Sequence, residues 1–307
     1  LRKAAIADFD GVCSGDIIVL KIDENHPSSA IAPLILMTDR FWDWATRTSK
    51  GSLSPRTSYS EIKNFAIPAP EHCSVEALGN TFHGAINVVE TRNELLASAK
   101  ALFSSFLLTS LSPKRNWDTK YLSEIAEVKG GRQRSPAHAV GDELQPYLRP
   151  ANIKRGEIDL SDVLKMNFTK AEQDTYKLRE RDILLVEGGE AGDVGDPAFF
   201  NIKETLFYQN TLIRVRAKSD KINPRHLFWI LTYMHRSGGF LGIAAGTKIK
   251  HIGTGNTSKL KLHLPEASDL EKISRTLDDL SQTIDEIKSG NRDAFLLAKK
   301  VSEKIHQ

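Results

Sequence analysis

"CSGDIIVLKIDENHPSSAIAPLILM", residues 13–37, lies without a gap on "YQNTLIRVRAKSDKINPRHLFWILT", residues 208–232, when the chain is shifted by 195 residues. The same offset pairs Ile35-Leu36 with Ile230-Leu231, Gly51 with Gly246, Pro70-Glu71 with Pro265-Glu266 and Glu76 with Glu271. Few positions are identical, so pattern rather than identity repeats. An internal repeat constrains architecture before any single motif does. Each copy reads as a β-branched strand (16–22 or 211–215), a turn, an apolar helix (32–44 or 225–234), a glycine-bearing loop, and a short alternating strand (64–67 or 259–264) that ends at a proline.

A long helix follows each proline. In the first, one heptad position carries Val75, Phe82, Val89, Leu96 and Phe103, and its companion carries Leu78, Ala85, Arg92, Ala99 and Phe106. In the second, the matching register carries Leu270, Leu277, Ile284, Asn291 and Ala298, with Ile273, Leu280, Ile287, Ala294 and Val301 as companions. Matching a/d seams predict that the two helices pair as a coiled coil. Arg92 and Asn291 interrupt the seams; a polar residue there either fixes register or is a solvated defect.

Pro113 marks a stop after the first long helix. The block from about 116 to 265 reads as a mixed α/β domain: strands near 121–128, 147–153, 182–186 and 211–215, a helix near 170–177, and a "KRGE" turn. The predicted segments are therefore 1–71, 72–112, 113–265 and 266–307. By the 195 offset, the first copy is expected to lack about 80 residues of a full domain upstream of Leu1.

The composition, 40% hydrophobic and 26% charged over 307 residues, is that of folded globular material. Cys13 and Cys73 give no disulfide framework, and His72 beside Cys73 has no second ligand pair at metal spacing, so no metal is expected. No apolar run reaches the ~20 residues of a membrane span, and "LRKAAIADFDG" has no signal-peptide core; the expected setting is the reducing cytoplasm. From residue 205 to 263 there are ten Lys or Arg against one acid, whereas 156–204 holds twelve acids against six bases. Such separation suits a surface for a polyanion, with chance clustering on solvated faces as the alternative.

"VEGGEAGDVGDPAFF", residues 186–200, follows an apolar run, as phosphate-binding loops do. Its glycines match neither G-x-G-x-x-G nor G-x-x-x-x-G-K-S/T, and Glu187, Glu190, Asp193 and Asp196 would repel a phosphate. It reads instead as a strand–loop–strand hairpin. No nucleophile elbow, H-E-x-x-H or amino-methyltransferase motif occurs, so no catalytic residue is assigned.

Basic, glycine-bearing loops are the better candidates for chemistry, because guanidinium and amide groups can reach phosphates and guanine edges where the backbone approaches a groove closely. "KGGRQRSP" offers Arg132 and Arg134. "YLRPANIKRGE" offers Arg149, Asn152, Lys154 and Arg155. "GTKIKHIGTGN" offers Lys248, Lys250, His251 and Asn256, and the first copy's "GSLSPRTSYS" offers Ser54, Arg56, Thr57 and Tyr59.

These segments, with "RERDILLVEGG", "YQNTLIRVRA" and "GTKIKHIGTGNTSKLKLHLPE" running into a long helix, resemble the specificity subunit of Type I restriction–modification enzymes. "DFDGVCSGDIIVLKI" and "SYSEIKNFAIPAPE" resemble its first half. The resemblance implies two target recognition domains held apart by paired antiparallel helices, each domain reading half of a split double-stranded DNA sequence. It implies a subunit with no catalysis and no cofactor of its own. S-adenosylmethionine would then act on modification subunits, and ATP with magnesium on a restriction subunit. Two other readings stay open: a non-DNA helical scaffold, and a recognition module of a fused restriction–methyltransferase polypeptide.

Overall fold

The computed structural model describes residues 4, 6–7, 10–26, 29–51, 55–66 and 75–303, with the backbone alone for 30, 137, 294, 295, 297–299 and 301–303. Ser54, Ile67, Pro70, Glu71, His72 and Cys73 lie outside the described residues, as do the side chains of Ala294, Ala298 and Val301. The chain divides into two compact units, Leu1–Lys100 with Gln282–Gln307, and Ala101–Ser281. Both long helices contribute to both units.

In the first unit, α1 (Ala32–Ile35) and α2 (Asp39–Arg47) replace the single helix expected over 32–44. Thr38 causes the break: it is extended, its hydroxyl oxygen accepts from Phe41 N at 3.2 Å, and the hydroxyl donates to Ile35 O. A side chain that caps one helix while bonding the end of another leaves no continuous ladder. The short α3 (Tyr59–Ile62) follows. Residues 16–22 form no strand, contrary to expectation, and Ile17 and Val19 are exposed. In the second copy the equivalent strand is paired on both sides; no strand in the first unit's described residues offers residues 16–22 a ladder, and an unpaired strand has nothing to hold it. Residues 64–66 likewise form no strand. The unit's core is Ile31, Leu34 and Ile35 packed on Leu78 and Phe82 at the start of α4 (Val75–Ser110).

The second unit begins with β1 (Asp118–Tyr121), a single helical turn α5 (Leu122–Ile125) and β2 (Ala126–Gly130), where one strand over 121–128 was expected. The Glu124 carboxylate accepts the Tyr121 N–H at 2.5 Å and stabilises that turn. Next come β3 (Leu144–Leu148), the hairpin β4 (Ile153–Lys154) and β5 (Glu157–Ile158), and β6 (Leu164–Asn167). The strand expected over 147–153 stops at Leu148 because Pro150, in a short 3-10 turn, has no N–H to continue it. Then follow α6 (Lys170–Tyr176), β7 (Ile183–Val186), β8 (Gly188–Gly189), β9 (Pro197–Phe199), β10 (Phe207–Tyr208) and β11 (Leu212–Ala217). The chain closes with α7 (Pro224–Arg236), β12 (Lys250–His251), α8 (Thr254–Ser258), β13 (Lys261–Leu264) and α9 (Ala267–Glu303).

The main sheet has the order β2-β11-β7-β9, with every neighbouring pair antiparallel, and the smaller sheet β10-β3-β6 lies beside it. Both faces of the main sheet are covered, which explains the unbroken apolar run of β7. Ile183, Leu185, Ile213 and Val215 face a core shared with α7 and the long helices; Leu184, Val186 and Leu212 face a second core with Leu148, Phe200 and Tyr208. Alternate residues pointing to opposite faces is the period-two rule of a strand. Asn223 caps α7 and Pro224 occupies its first turn. From α7, the Arg225 guanidinium lies 4.7 to 4.9 Å from the ring centres of Phe199, Phe228 and Trp229, and both Arg225 Nε and Trp229 Nε1 donate to the Asp278 carboxylate of α9.

Low-numbered residues of α4 meet high-numbered residues of α9, so the helices are antiparallel. Leu107 and Leu111 share a core with Leu270 and Leu277, and Arg92 Nε donates to Asn291 Oδ1 at 3.1 Å. Asn291 Nδ2 in turn donates to Asn93 Oδ1 at 2.9 Å. The two seam interruptions are thus each other's partners. Among the described residues, no helix is long and apolar enough to cross a membrane. Replacing Arg92 by Ala is expected to lower stability by about 1 kcal/mol in urea denaturation, because it strips a half-buried carboxamide of a partner. Replacing both Arg92 and Asn291 by Leu should restore that stability while loosening register, read as several inter-helix cross-linking patterns in place of one.

Candidate nucleic-acid interface

Strand register gathers the predicted loops at one end of the main sheet. Ile213 pairs with Gly130, Leu212 with Val186, and Leu185 with Pro197. The segments after β2, before β11, after β7 and before β9 therefore emerge together. The parallel pair Tyr208–Leu148 brings Arg149 beside Gln209 at the same end. The β4–β5 hairpin turns through Arg155 (φ 54°) and Gly156 (φ 87°), and the Gly156 N–H bonds the Asp196 carboxylate, which places this tip next to β9. β12 pairs Lys250 with Gly189 and His251 with Gly188, which adds the 246–251 loop.

The glycines of these loops serve close backbone approach. A Cβ on Gly131 would lie 2.2 Å from the Gln209 carbonyl oxygen, and one on Gly188 would lie 2.3 Å from His251 Nδ1. The 186–200 stretch is the strand–loop–strand hairpin of β7 and β9, and its glycines admit β12. Its acids are partly used within the fold. The Glu187 carboxylate lies 3.0 Å from His251 Nδ1, and Asp196 Oδ1 faces His235 Nε2 at 3.7 Å. Burial raises the Asp196 pKa, with His235 and Arg236 opposing.

The polar residues singled out in these loops fall into two groups. Arg132 is buried: its Nε meets Glu172 Oε1 at 2.8 Å and its guanidinium stacks 5.2 Å from the Phe168 ring centre. Arg132 is therefore committed to the interior and cannot reach a groove. Asn152 is also buried, where Nδ2 donates to Asp159 O and Asp162 O and Oδ1 accepts from Arg149 N. It staples the β4–β5 hairpin. Arg149 is half-buried against Asp162, Lys154 pairs with Asp159, Lys250 Nζ donates to Gly246 O at 2.7 Å, and Asn256 Nδ2 to Ile243 O at 3.2 Å. The Asp159 carboxyl lies well below its ordinary range because it accepts from Lys154.

Arg134, Arg155 and Lys248 are exposed, and so are Gln133 and Asn210. Asn210 was not singled out from the sequence. It sits on the tight turn closed by Leu212 N to Gln209 O at 2.9 Å, and the "QN" before a β-branched strand was the available signal. In the first unit Arg56 is exposed and pairs with Asp16 at 3.1 Å, and Tyr59 is exposed at the start of α3. Among the described residues no group of acids, histidines or cysteines could hold a metal ion.

Residues 114–294 match the family model of the Type I restriction modification DNA specificity domain. The chain belongs to this family. The specificity domain thus spans β1 to α9, including every loop gathered at the sheet end. A curated relative, the Type I restriction enzyme EcoDI specificity subunit of Escherichia coli, is 27% identical over 113 residues, which is 35% of this chain. That alignment spans 24% of the relative's length. A solved S subunit of a Type I restriction–modification system from M. genitalium covers 92% of this chain and 74% of its own, at 13% identity and a TM-score of 0.60. A structure concerned with complex assembly and conformational transition of the type I system covers 89% of this chain and 69% of its own, at 14% identity and a TM-score of 0.59. At those identities the likeness is one of fold.

The Arg132–Glu172 pair gives this domain an acid dependence. The hydrogen bond from Arg132 lowers the Glu172 carboxyl from 4.5 to about 2. Its stabilisation is present above the unfolded value and is lost as pH falls from 4.5 toward 2. A urea midpoint measured against pH should therefore decline less steeply across that window in Glu172→Gln than in the wild type.

Proposed function

We propose that this chain recognises a double-stranded DNA sequence within a Type I restriction–modification complex. In this reading the domain formed by β1 to β13 enters a groove by the sheet end that carries Arg134, Arg155, Lys248 and Asn210. The observation that carries it is the convergence of these loops of a DNA specificity domain on one sheet end, with cations left exposed there. Cations neutralise phosphates and set register, whereas amides and guanidiniums read base edges. The chain is a reader without chemistry of its own. Methyl transfer and cleavage belong to modification and restriction subunits, which bring S-adenosylmethionine, ATP and magnesium. The paired helices set the spacing between the halves of a split target.

Partner assembly is supported by α4, which exposes a second seam. Gly84, Val88, Thr91, Leu95 and Ser98 alternate four and three residues apart, carry no charge and face solvent. A modification subunit's helix would cover such a stripe by knobs-into-holes packing.

Arg134→Ala and Lys248→Ala should each flatten the slope of log affinity against log salt by about 0.9, measured for the specific duplex by fluorescence anisotropy. Arg132→Ala should leave the slope unchanged and lower stability instead. If neither exposed cation altered the slope, this sheet end would not be the DNA face. Separately, Leu95→Glu should abolish co-purification with the modification subunit while leaving the chain's own melting temperature within about 2 °C of wild type, since an exposed substitution costs little.

A further inference from the structure

The loop between α7 and β12 is built as a closed hairpin. Ala245 and His251 exchange backbone hydrogen bonds of 2.9 Å in both directions. Gly246 has φ 99°, and a Cβ there would lie 2.1 Å from the Ile249 carbonyl oxygen, so the turn closes tightly on itself. Lys250 Nζ ties across to Gly246 O, and β12 is fastened to β8. This framework presents Thr247, Lys248 and Ile249 at its tip. Ile249 is 57% exposed and belongs to none of the unit's hydrophobic clusters.

The isoleucine side chain joins none of the domain's cores from that position. A polar residue would serve a solvated turn at least as well. The neighbours indicate what meets it: Lys248 is exposed beside it, at the sheet end where Arg134, Arg155 and Asn210 also face solvent. A surface of this charge approaches phosphates, and the apolar group that a major groove offers is the C5-methyl of thymine. Burying one methyl group against another is worth about a fourfold gain in affinity.

Resting on the DNA-recognition reading above, we infer that Ile249 is a specificity-determining residue that reads the C5-methyl group of one thymine in the target. Lys248 holds an adjacent phosphate, and the Gly246 turn fixes the height of the isoleucine above the groove.

The test is a cycle between the methyl group on the protein and the one on the DNA. The chain, assembled with its modification subunits, selects from a randomised 40-base-pair duplex library amplified with either dTTP or dUTP. Wild type should return a split motif containing a thymine position that loses its preference, about fourfold, when uracil replaces thymine. Ile249→Ala should lose preference at that same position in both libraries and keep the rest of the motif, and Ile249→Val should retain it. The inference is overturned if Ile249→Ala returns the unchanged motif. It is equally overturned if the wild-type motif is the same in both libraries, as a wedge between bases would give, or if Ile249→Ala loses all selection while Ile249→Val keeps it. A wild type that selects no motif from either library would instead remove the recognition reading itself.

Discussion

The burial of β11 on both faces is the constraint from which the recognition domain follows. From Ile213 to Val215 it pairs with β2 on one side and β7 on the other. Leu212, Ile213 and Val215 are fully buried, and burying each such side chain is worth about 1.5–3 kcal/mol. Arg214, also buried, is accommodated by an ion pair to Glu127 and a face on Tyr208, whose hydroxyl burial pushes its pKa well above the ordinary value. Such a strand cannot slip by one residue without turning its apolar side chains into the wrong core. Because its register is fixed, the positions of the segments entering and leaving it are fixed as well. The loops at the Leu212 end inherit that rigidity.

Those loops show how exposed cations are left on one sheet end by a sequence that is nearly neutral overall. The acids are drawn inward or sideways onto partners: Glu172 to Arg132, Asp159 to Lys154, Asp162 to Arg149, Glu187 to His251, Asp196 toward His235. Some cations are spent in the same bonds, yet Arg134, Arg155 and Lys248 are left facing out. Net charge is therefore a poor guide to this face; which charges are committed inside the fold decides it.

That distinction also marks the limit of what the sequence could convey. The second copy's strand, its helix over 224–236 and both long helices were legible because hydrophobic periodicity reports the side that packs. The first copy's strand was misread because residues 16–22 have the right composition but no neighbouring ladder, and strand formation depends on partners remote in sequence. Thr38 hid inside an apolar run and broke a helix that periodicity alone would continue. Arg132 and Asn152 were misjudged for a different reason: a polar residue in a glycine-bearing loop has the same signature whether it points to solvent or staples the loop from beneath. Asn210 was overlooked because it belongs to a turn of three residues, too short for any periodic signal.

The pairing of Arg92 with Asn291 shows where a sequence reading can go further than expected. Two polar residues in otherwise apolar seams, on helices almost 200 positions apart, could each have been a solvated defect. In antiparallel helices, however, the two positions can meet in one register, and a shift by one turn would bury each against apolar neighbours at a cost of about 1–3 kcal/mol. Gly290 supports the same alignment, since a Cβ there would lie 1.7 Å from the Arg92 guanidinium. A long apolar seam alone would tolerate several alignments of similar energy. The polar pair makes one of them preferred.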